Sequence, residues 1–217
     1  MSPPKVYVET TVLKASATRL RRLRQRKQII NWGGKIHETV VHDIVYVNPN
    51  ESIKNAEMKA EVELLPTLAD AGKRGEVQYV IQMETLFESL GIPKMDSETG
   101  RFYGAPCKEV EAPIEYSRVL VGFDLDAKEM QFNFLSSISN KRFLELQKMT
   151  GAYQGPGKLN RNQLLDAFHI WCAEHNKCDY FLTLDFKLVN MLRMQKRNIL
   201  SEVVKPSELI KKIGIIT

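Results

Sequence analysis

Short apolar runs alternate along this chain with segments whose apolar residues recur at helical spacing. The apolar runs predict strands at 5–8, 77–81, 180–184 and 202–204. The helical spacing predicts helices at 53–72, 85–90, 141–149, 162–175, 187–195 and from 206 onward, and Pro66 is expected to kink or split the first of them. Continuously apolar strands that alternate with helices are typical of a parallel sheet covered on both faces. The pattern therefore predicts an α/β fold with such a sheet at its centre.

The segment after the first strand shows a different pattern. Its apolar residues keep roughly a 3.6-residue period with arginines between them, which predicts a basic helix that ends at Trp32-Gly33-Gly34. These apolar residues are Val12, Leu13, Ala17, Leu20, Leu23 and Ile30. Residues 39–47 then predict a strand, which a turn at 48–50 closes.

The middle of the chain is less regular. Residues 92–115 are rich in glycine, proline and charge and predict an irregular stretch. The strand-like runs at 118–123 and 130–135 predict a hairpin. We expect one domain over residues 1–217, with inserted strands and an insertion at about 92–160 that could recognise a substrate or a partner.

Composition narrows the classes of protein to consider. Hydrophobic residues make up 43% of the chain and charged residues 26%, which is ordinary for a globular protein. No apolar run reaches about eighteen residues, so we expect no membrane segment, and the first residues lack the order of a signal peptide. The cysteines, Cys107, Cys172 and Cys178, form no CxxC pair and favour neither disulfides nor a zinc site. We therefore expect a cytoplasmic protein.

Positive charge is concentrated near the N-terminus. Residues 10–37 carry eight lysines and arginines and no acid, whereas the net charge of the whole chain is +5. Such a cluster favours contact with a polyanion, although a solvated helix face is the alternative. We predict that its central residues lie along the exposed side of the basic helix, with Leu20 and Leu23 as its anchors. The residues predicted to bind nucleic acid are Arg19, Arg21, Arg22, Arg24, Arg26 and Lys27.

Four carboxylates fall where the predicted strands end. Glu9 directly follows the first strand and Asp185 follows the strand at 180–184, while Glu88 lies in the helix after the strand at 77–81. Asp166 lies near the start of the helix at 162–175, and a helix that precedes a parallel strand begins at the carboxyl edge of the sheet. Active sites of such sheets lie at that edge, so we expect the four acids to converge there.

Converging carboxylates repel one another unless cations lie between them. Mg²⁺ and Mn²⁺ prefer carboxylate oxygens, and such ions activate water and stabilise both oxygens of a phosphodiester displacement. Taken singly, each acid has a structural explanation: Glu9 as a surface acid, Asp166 as a helix-dipole partner and Asp185 as a helix cap.

Several segments resemble the PIN-domain nuclease family. VYVETTVL is similar to the family's opening strand, and RGEVQYVIQMETLFESL to its second strand and helix, with Glu88 at the position of the acid. NQLLDAFHIWCAEHNKCDYFLTLD resembles the most recognisable stretch, in which the third and fourth acids fall on Asp166 and Asp185, and VVKPSELIKKI resembles the last strand and helix. The resemblance covers about half of the chain.

The resemblance implies a Rossmann-like α/β/α sandwich with a mostly parallel sheet. It also implies a Mg²⁺- or Mn²⁺-dependent endoribonuclease, less often a DNA nuclease, with Glu9, Glu88, Asp166 and Asp185 as metal ligands and catalytic residues. Many members are toxins with an antitoxin partner, and many form homodimers. The family normally has aspartate where this chain has Glu9, and the added methylene moves the carboxylate by about 1 Å, which can cost about 100-fold in rate. The alternatives are therefore a catalytically weakened PIN-like module that binds nucleic acid, or a component of a toxin–antitoxin pair.

Other polar residues accompany the four acids. Thr10, Thr11 and Thr183 could hold waters or phosphate oxygens or could simply pack, and His169 could contact the substrate or lie in the core. Asp179 begins a strand at the opposite edge and is predicted to be structural. The DxD of Asp124 and Asp126 resembles a motif of haloacid-dehalogenase-like phosphatases, but the strand-like run after it favours a hairpin turn.

Overall fold

The computed structural model describes residues 2–89, 101–117, 127–155, 158–194 and 199–215. Its strands are β1 (Lys5–Val8), β2 (Leu20–Trp32), β3 (Lys35–Val47), β4 (Gln78–Gln82), β5 (Cys107–Val110), β6 (Tyr180–Leu182) and β7 (Glu202–Val204). Its helices are α1 (Thr10–Ala15), α2 (Ala56–Glu63), α3 (Leu65–Lys73), α4 (Met83–Ser89), α5 (Ala127–Ser137), α6 (Lys141–Met149), α7 (Arg161–His175), α8 (Phe186–Met194) and α9 (Pro206–Ile213). A single 3-10 turn lies at Pro49–Ser52, and Arg101–Gly104 form a turn in which Phe102 and Tyr103 have positive φ.

Five strands form a central parallel sheet in the order β5-β4-β1-β6-β7, and every neighbouring pair in it runs parallel. Strand β1 lies at its centre between β4 and β6, whose residues Tyr79 and Tyr180 both lie beside Val6. Helices cover both faces, so the predicted α/β fold with a Rossmann-like α/β/α arrangement is confirmed.

The sheet is buried on both sides because successive residues of its strands enter different cores. Val6 and Val8 pack with apolar residues of α1, α2, α3 and α9. Tyr7, between them, packs on the opposite face with residues of α5, α6, α7 and α8. Thus the apolar run KVYV, without any polar alternation, is what a central parallel strand requires.

The structure contradicts the predicted basic helix at the N-terminus. Helix α1 ends at Ala15, and residues 20–32 form β2, paired antiparallel with β3 in a separate two-stranded sheet. Gly33 and Gly34 have φ of 61° and 73°, as a two-residue hairpin turn requires at both positions. The glycine pair that suggested a helix end is therefore a hairpin turn. We call residues 20–47 the hairpin arm.

The run at 130–135, predicted as a strand, is also helical and lies within α5. Gln131 and Leu135, four residues apart, are both fully buried, which is helical spacing rather than strand alternation. The companion run at 118–123, Asp124 and Asp126 lie outside the described residues. Helix α6 has the predicted bounds of 141–149, and α2 and α3 are split beside Pro66 as expected, although α2 begins after its cap Asn55 rather than at residue 53.

The described part of the segment predicted as an insertion belongs to the central domain. Strand β5 is an edge strand of the main sheet, and Phe143 and Leu146 of α6 are fully buried against α7. None of the described helices has the length and hydrophobicity needed to cross a membrane.

The hairpin arm should be dispensable for folding, since neither hydrophobic core includes a residue from 20–47 among those the structure describes. Leu20 and Val47 are cross-strand partners, so a short Gly-Ser linker can replace the arm with little loop-closure cost. We expect the free energy of unfolding in urea to change by less than about 1 kcal/mol, against about 2–5 kcal/mol lost in Leu68→Ala, a fully buried control. A loss comparable with the control would show that the arm supports the core.

Candidate active site

Two of the four predicted acids lie at the same edge because their strands are parallel neighbours. Glu9 follows β1, and its backbone N–H donates to the carbonyl of Leu182 at 3.1 Å, which extends the pairing with β6 by one residue. Asp185 lies three residues after the end of β6. Both carboxylates therefore leave the sheet at its carboxyl edge.

The other two acids reach this edge from helices. Glu88 lies in α4, which directly follows β4, and Asp166 lies in the second turn of α7. The negative charges of Glu9, Asp185 and Glu88 each act to raise the pKa of Asp166, so all three are within electrostatic reach of it. Four distant segments thus bring their acids together.

Glu9 is 5% exposed and is fixed through a single carboxylate oxygen. Its Oε2 accepts hydrogen bonds from the backbone N–H of Thr11 at 2.9 Å, from the Thr11 hydroxyl, and from the Thr183 hydroxyl at 3.1 Å. The first of these bonds caps α1, whose N-cap is Glu9 itself. The Thr11 Oγ1 in turn accepts from the Leu184 N–H at 3.1 Å. The two threonines therefore join the ends of β1 and β6 around the carboxylate.

Glu88 is held in the same way by a threonine and a histidine. Its Oε2 accepts from the Thr10 hydroxyl at 2.5 Å and lies 3.0 Å from His169 Nε2. The other ring nitrogen of His169, Nδ1, lies 2.9 Å from the Tyr7 hydroxyl, which is 3.2 Å from Thr85 Oγ1. The buried imidazole consequently connects the core beneath β1 to a carboxylate at the sheet edge.

His169 lies against the partly buried Glu88 in a contact that becomes an ion pair when the imidazole is protonated. Burial acts to lower the pKa of His169, but the hydrogen bond and charge of Glu88, aided by Glu9 and Asp166, outweigh it and leave this pKa raised. Burial acts to raise the pKa of Glu88, but the bond and charge of His169 and the Thr10 bond leave this pKa lowered. Both changes favour the charged pair, in which His169 donates through both nitrogens.

Asp166 and Glu9 respond to the site in the opposite direction. Burial and then the charges of Glu9, Asp185 and Glu88 hold the pKa of Asp166 well above its usual value, against the weaker effect of His169. Burial also raises the pKa of Glu9, although bonds from Thr11 and the charge of His169 oppose it. Proton uptake by either acid relieves the repulsion among the carboxylates.

Asp185 also caps a helix. Its Oδ1 accepts from the Leu188 N–H at 2.9 Å, as expected for the residue before α8, and its own N–H donates to Thr183 Oγ1 at 2.9 Å. Thr183 therefore accepts from Asp185 and donates to Glu9. One hydroxyl fixes the relative positions of two of the acids.

The chemistry of these donors suits a hard divalent cation, although within the described residues their spacing does not form a ligand group. Glu9, Glu88 and Asp185 each use one oxygen for these hydrogen bonds, and within the described residues their second oxygens have no hydrogen bond. Mg²⁺ keeps several waters and takes one or two carboxylates directly. Among residues 2–89, 101–117, 127–155, 158–194 and 199–215, no group of three or more His, Cys, Asp or Glu side chains is in a position to hold a metal ion.

The remaining predicted residues lie elsewhere. Arg21, Arg22, Arg24, Arg26 and Lys27 are exposed, but on β2 of the hairpin arm rather than on a helix, and Arg19 precedes it. Asp179 lies at the opposite edge, where its carboxylate accepts from the Lys5 N–H at 2.7 Å, in keeping with its predicted structural role.

Sequence reasoning missed Tyr7 and Thr85, which hold His169 from below. Tyr7 lies inside an apolar strand, where the pattern indicates packing alone. Nothing in the spacing of residues 7, 85 and 169 could reveal their hydrogen bonds, because the contact depends on how β1, α4 and α7 meet.

The fold and the site define an α/β protein with a cluster of acids at the carboxyl edge of a parallel sheet. Scans against models of protein families, curated proteins and solved structures each found no match to this chain.

Asp166→Asn should stabilise the metal-free protein at neutral pH. Because the folded-state pKa of Asp166 is raised, the wild-type fold loses stability as pH rises from the unfolded value of about 4 through the folded pKa. A tenfold difference in proton affinity between the folded and unfolded states corresponds to about 1.4 kcal/mol. We therefore expect a gain of about 1 kcal/mol or more near pH 7 that disappears toward about pH 4. Urea unfolding in EDTA at several pH values measures it.

Asp179→Asn is the matched control, since the amide oxygen can still accept from Lys5 and the residue is at the other edge. It should show no such pH-dependent gain. Equal behaviour of the two variants would mean that the acidic cluster does not repel as described.

Proposed function

We propose that this protein is a Mg²⁺- or Mn²⁺-dependent endonuclease of the PIN type that hydrolyses phosphodiester bonds, with RNA as its substrate. The observation that carries the proposal is the convergence of Glu9, Glu88, Asp166 and Asp185, three of which use one oxygen for hydrogen bonds while the other has none among the described residues. Like charges gathered at such a cost to the metal-free fold are typical of functional sites. The resemblance of the sequence to PIN domains supports the same class.

The residues of the chain have distinct roles in this proposal. A bound divalent cation would supply an activated water and charge stabilisation at the phosphate. Glu9, Asp166 and Asp185 would hold it, and Glu88 would hold it or orient the water. Thr10, Thr11, Thr183 and His169 are positioning residues, since their hydrogen bonds end on the carboxylates. Rigid placement matters because errors of about 1 Å cost about 100-fold.

A weakened nucleic-acid-binding module is the second candidate, and Glu9 is the observation that favours it. The glutamate carboxylate turns back to cap α1 and is committed to Thr11 and Thr183. In that position it holds the ends of β1 and β6 together whether or not an ion binds. Substrate binding without rapid cleavage would then be the activity that remains.

In either case, the hairpin arm is the proposed nucleic-acid contact. Arg22, Arg24 and Arg26 alternate along β2, so they share one face of the arm and lie about 6.7 Å apart. That spacing is close to the distance between successive phosphates of a strand. Arg26 lies 2.8 Å from Asp43 on β3, an exposed pair that phosphate can replace at little cost.

The proposed compartment is the cytoplasm, where the three free cysteines would remain reduced. An acidic antitoxin-like protein is an alternative polyanion for the arginines of the arm.

Asp166→Asn should abolish metal-dependent cleavage of RNA, because it removes a ligand charge and little volume. Cleavage of labelled RNA and of DNA in Mn²⁺, with Mn²⁺ affinity from calorimetry, measures the effect, and Asp179→Asn should retain both. Equal cleavage by wild type and Asp166→Asn would refute the assignment. If the wild type binds Mn²⁺ and RNA but cuts neither nucleic acid, Glu9→Asp should restore cleavage, since it removes the extra methylene.

Neutralising Arg22, Arg24 and Arg26 with glutamine should weaken binding to all sequences alike. Phosphate contacts carry no sequence information, and each one lost lowers the slope of log K against log salt by about 0.7 on a single strand. Fluorescence anisotropy at several salt concentrations gives both quantities. The control is the double variant Lys73→Gln/Arg74→Gln, at the end of α3 and away from the acidic cluster. It should leave the slope unchanged.

A further inference from the structure

The two outer edges of the hairpin arm differ in charge. Each strand of the arm pairs with the other and, within the described part of the chain, with no further strand. Five of the seven residues at 21–27 on β2 are arginine or lysine, whereas 36–47 on β3 contains neither. A dense run of like charges on an edge discourages the addition of another strand, whereas 36–47 carries two separated acids, Glu38 and Asp43. The edge of β3 is thus the one open to pairing.

Within the part of the chain that the structure describes, the apolar residues of the arm are left exposed. Ile36, Val40 and Ile44, which alternate along one face of β3, are 77%, 52% and 46% exposed. An isolated two-stranded hairpin is marginally stable in water, and stable sheets have three or more strands or a packed face. An arm about 43 Å long, at the usual rise of its 13-residue strands, therefore calls for a further partner.

The sequence of β3 is complementary to itself when read in the opposite direction. In antiparallel pairing centred on Val40, each residue from 36 to 44 faces the residue at an equal distance on the other side of that centre. The segment IHETVVHDI then opposes Ile36 to Ile44, Glu38 to His42 and His37 to Asp43 of a second strand, with Val40 against Val40 and Thr39 against Val41. Apolar residues face apolar ones or threonine, and each acid faces an imidazole.

We propose that two copies of this chain associate through their β3 edges, in antiparallel register centred on Val40, to form a four-stranded sheet. The occupant is a second copy because the acid–imidazole pairs arise from one sequence facing itself. The contact is isologous, as in the commonest closed dimers. The proposal is independent of the nuclease proposed above.

The faces of the sheet support this register. Directly opposed residues of an antiparallel pair lie on the same face, so Glu38 and His42 of the second copy meet on one face and His37 and Asp43 on the other. In the single chain Glu38 lies 2.6 Å from Lys27 and Asp43 lies 2.8 Å from Arg26, both on β2. Each carboxylate would then lie between a cation of its own β2 and the opposing imidazole.

Alternative registers lose this match. Even-numbered residues of the two copies must pair with even-numbered ones, because only every second residue of β3 directs its backbone N–H and C=O away from β2. A slide by two residues in either direction opposes Glu38 to Ile44 or to Val40 and removes both acid–imidazole pairs. In the proposed register, the two β2 strands become the outer edges, and their arginines discourage further addition. The assembly therefore stops at two copies.

Sedimentation equilibrium of the full chain over a wide concentration range tests the proposal. The wild type should be a dimer, and Val40→Lys should weaken the dimer at least about tenfold, since it sets two like charges directly opposite each other. Leu23→Lys, on β2 of the same arm and 69% exposed, is the matched control and should leave the dissociation constant unchanged.

Exchange of the complementary pair tests the register. Glu38→His and His42→Glu should each weaken the dimer severalfold, and the double variant Glu38→His/His42→Glu should recover most of the loss, because the pairs are restored in reverse. If the double variant loses as much dimer affinity as the two single variants together, the proposed register is overturned.

Disulfide formation tests the centre of the contact. Val40→Cys should oxidise to a covalent dimer. Thr39→Cys should not, because residue 39 lies opposite Val41, and residue 39 of the second copy is two positions further along the strand, beyond the reach of a disulfide. The wild type controls for the native cysteines. A monomeric wild type, a dimer unaffected by Val40→Lys, or efficient crosslinking of Thr39→Cys would overturn the proposal. A monomeric wild type whose nucleic-acid affinity falls in Val40→Lys would assign this edge to nucleic acid instead.

Discussion

Mutual repulsion among carboxylates is the constraint on which the site at the carboxyl edge depends. The parallel sheet brings the ends of β1, β4 and β6 to one edge, and the acids that follow them cannot move apart without breaking the fold. Three hydroxyls and one imidazole hold these groups in place. Since His169 is buried and bonded to Tyr7 beneath it, its ring is fixed beside Glu88. Asp166 is left with burial and the charges of the other acids, which together raise its pKa.

The same bonds explain why small residues surround the acids. Thr183 accepts from Asp185 and donates to Glu9, which needs a hydroxyl at this point after β6 rather than the valine or isoleucine that packing alone would favour. Thr11 performs the equivalent task between Leu184 and Glu9. Local sequence therefore encodes both the carboxylate and its support, in the segments ETT and TLD. The fold only has to place β1 and β6 side by side.

This local encoding decides which features could be predicted from the sequence. The apolar strands of the sheet carry their own signal, and the acids follow them at fixed offsets, so the edge could be predicted from residues such as Glu9 and Asp185. The hairpin arm could not, because Leu20, Leu23 and Ile30 fit a helical period by chance and are exposed or half-buried on a strand. Pairing with β3 and the Gly33-Gly34 turn decides their conformation, and periodicity within one segment does not reveal pairing. In α5 the buried Gln131 donates to Glu84, 47 residues earlier, a contact that is equally non-local.

Glu9 shows how a departure from a family pattern can be interpreted physically. An aspartate at this position would end one methylene closer to the backbone. The longer side chain turns back to the N–H of Thr11, caps α1 and accepts from Thr183 through the same oxygen. The carboxylate is thus stabilised by contacts that exist without any ion, and burial still raises its pKa. Oε2 of Glu9 makes the contacts that support the fold, and the other oxygen is the one that would bind a cation. A glutamate can therefore support the fold through Oε2, while its extra methylene decides how well the other oxygen reaches a cation.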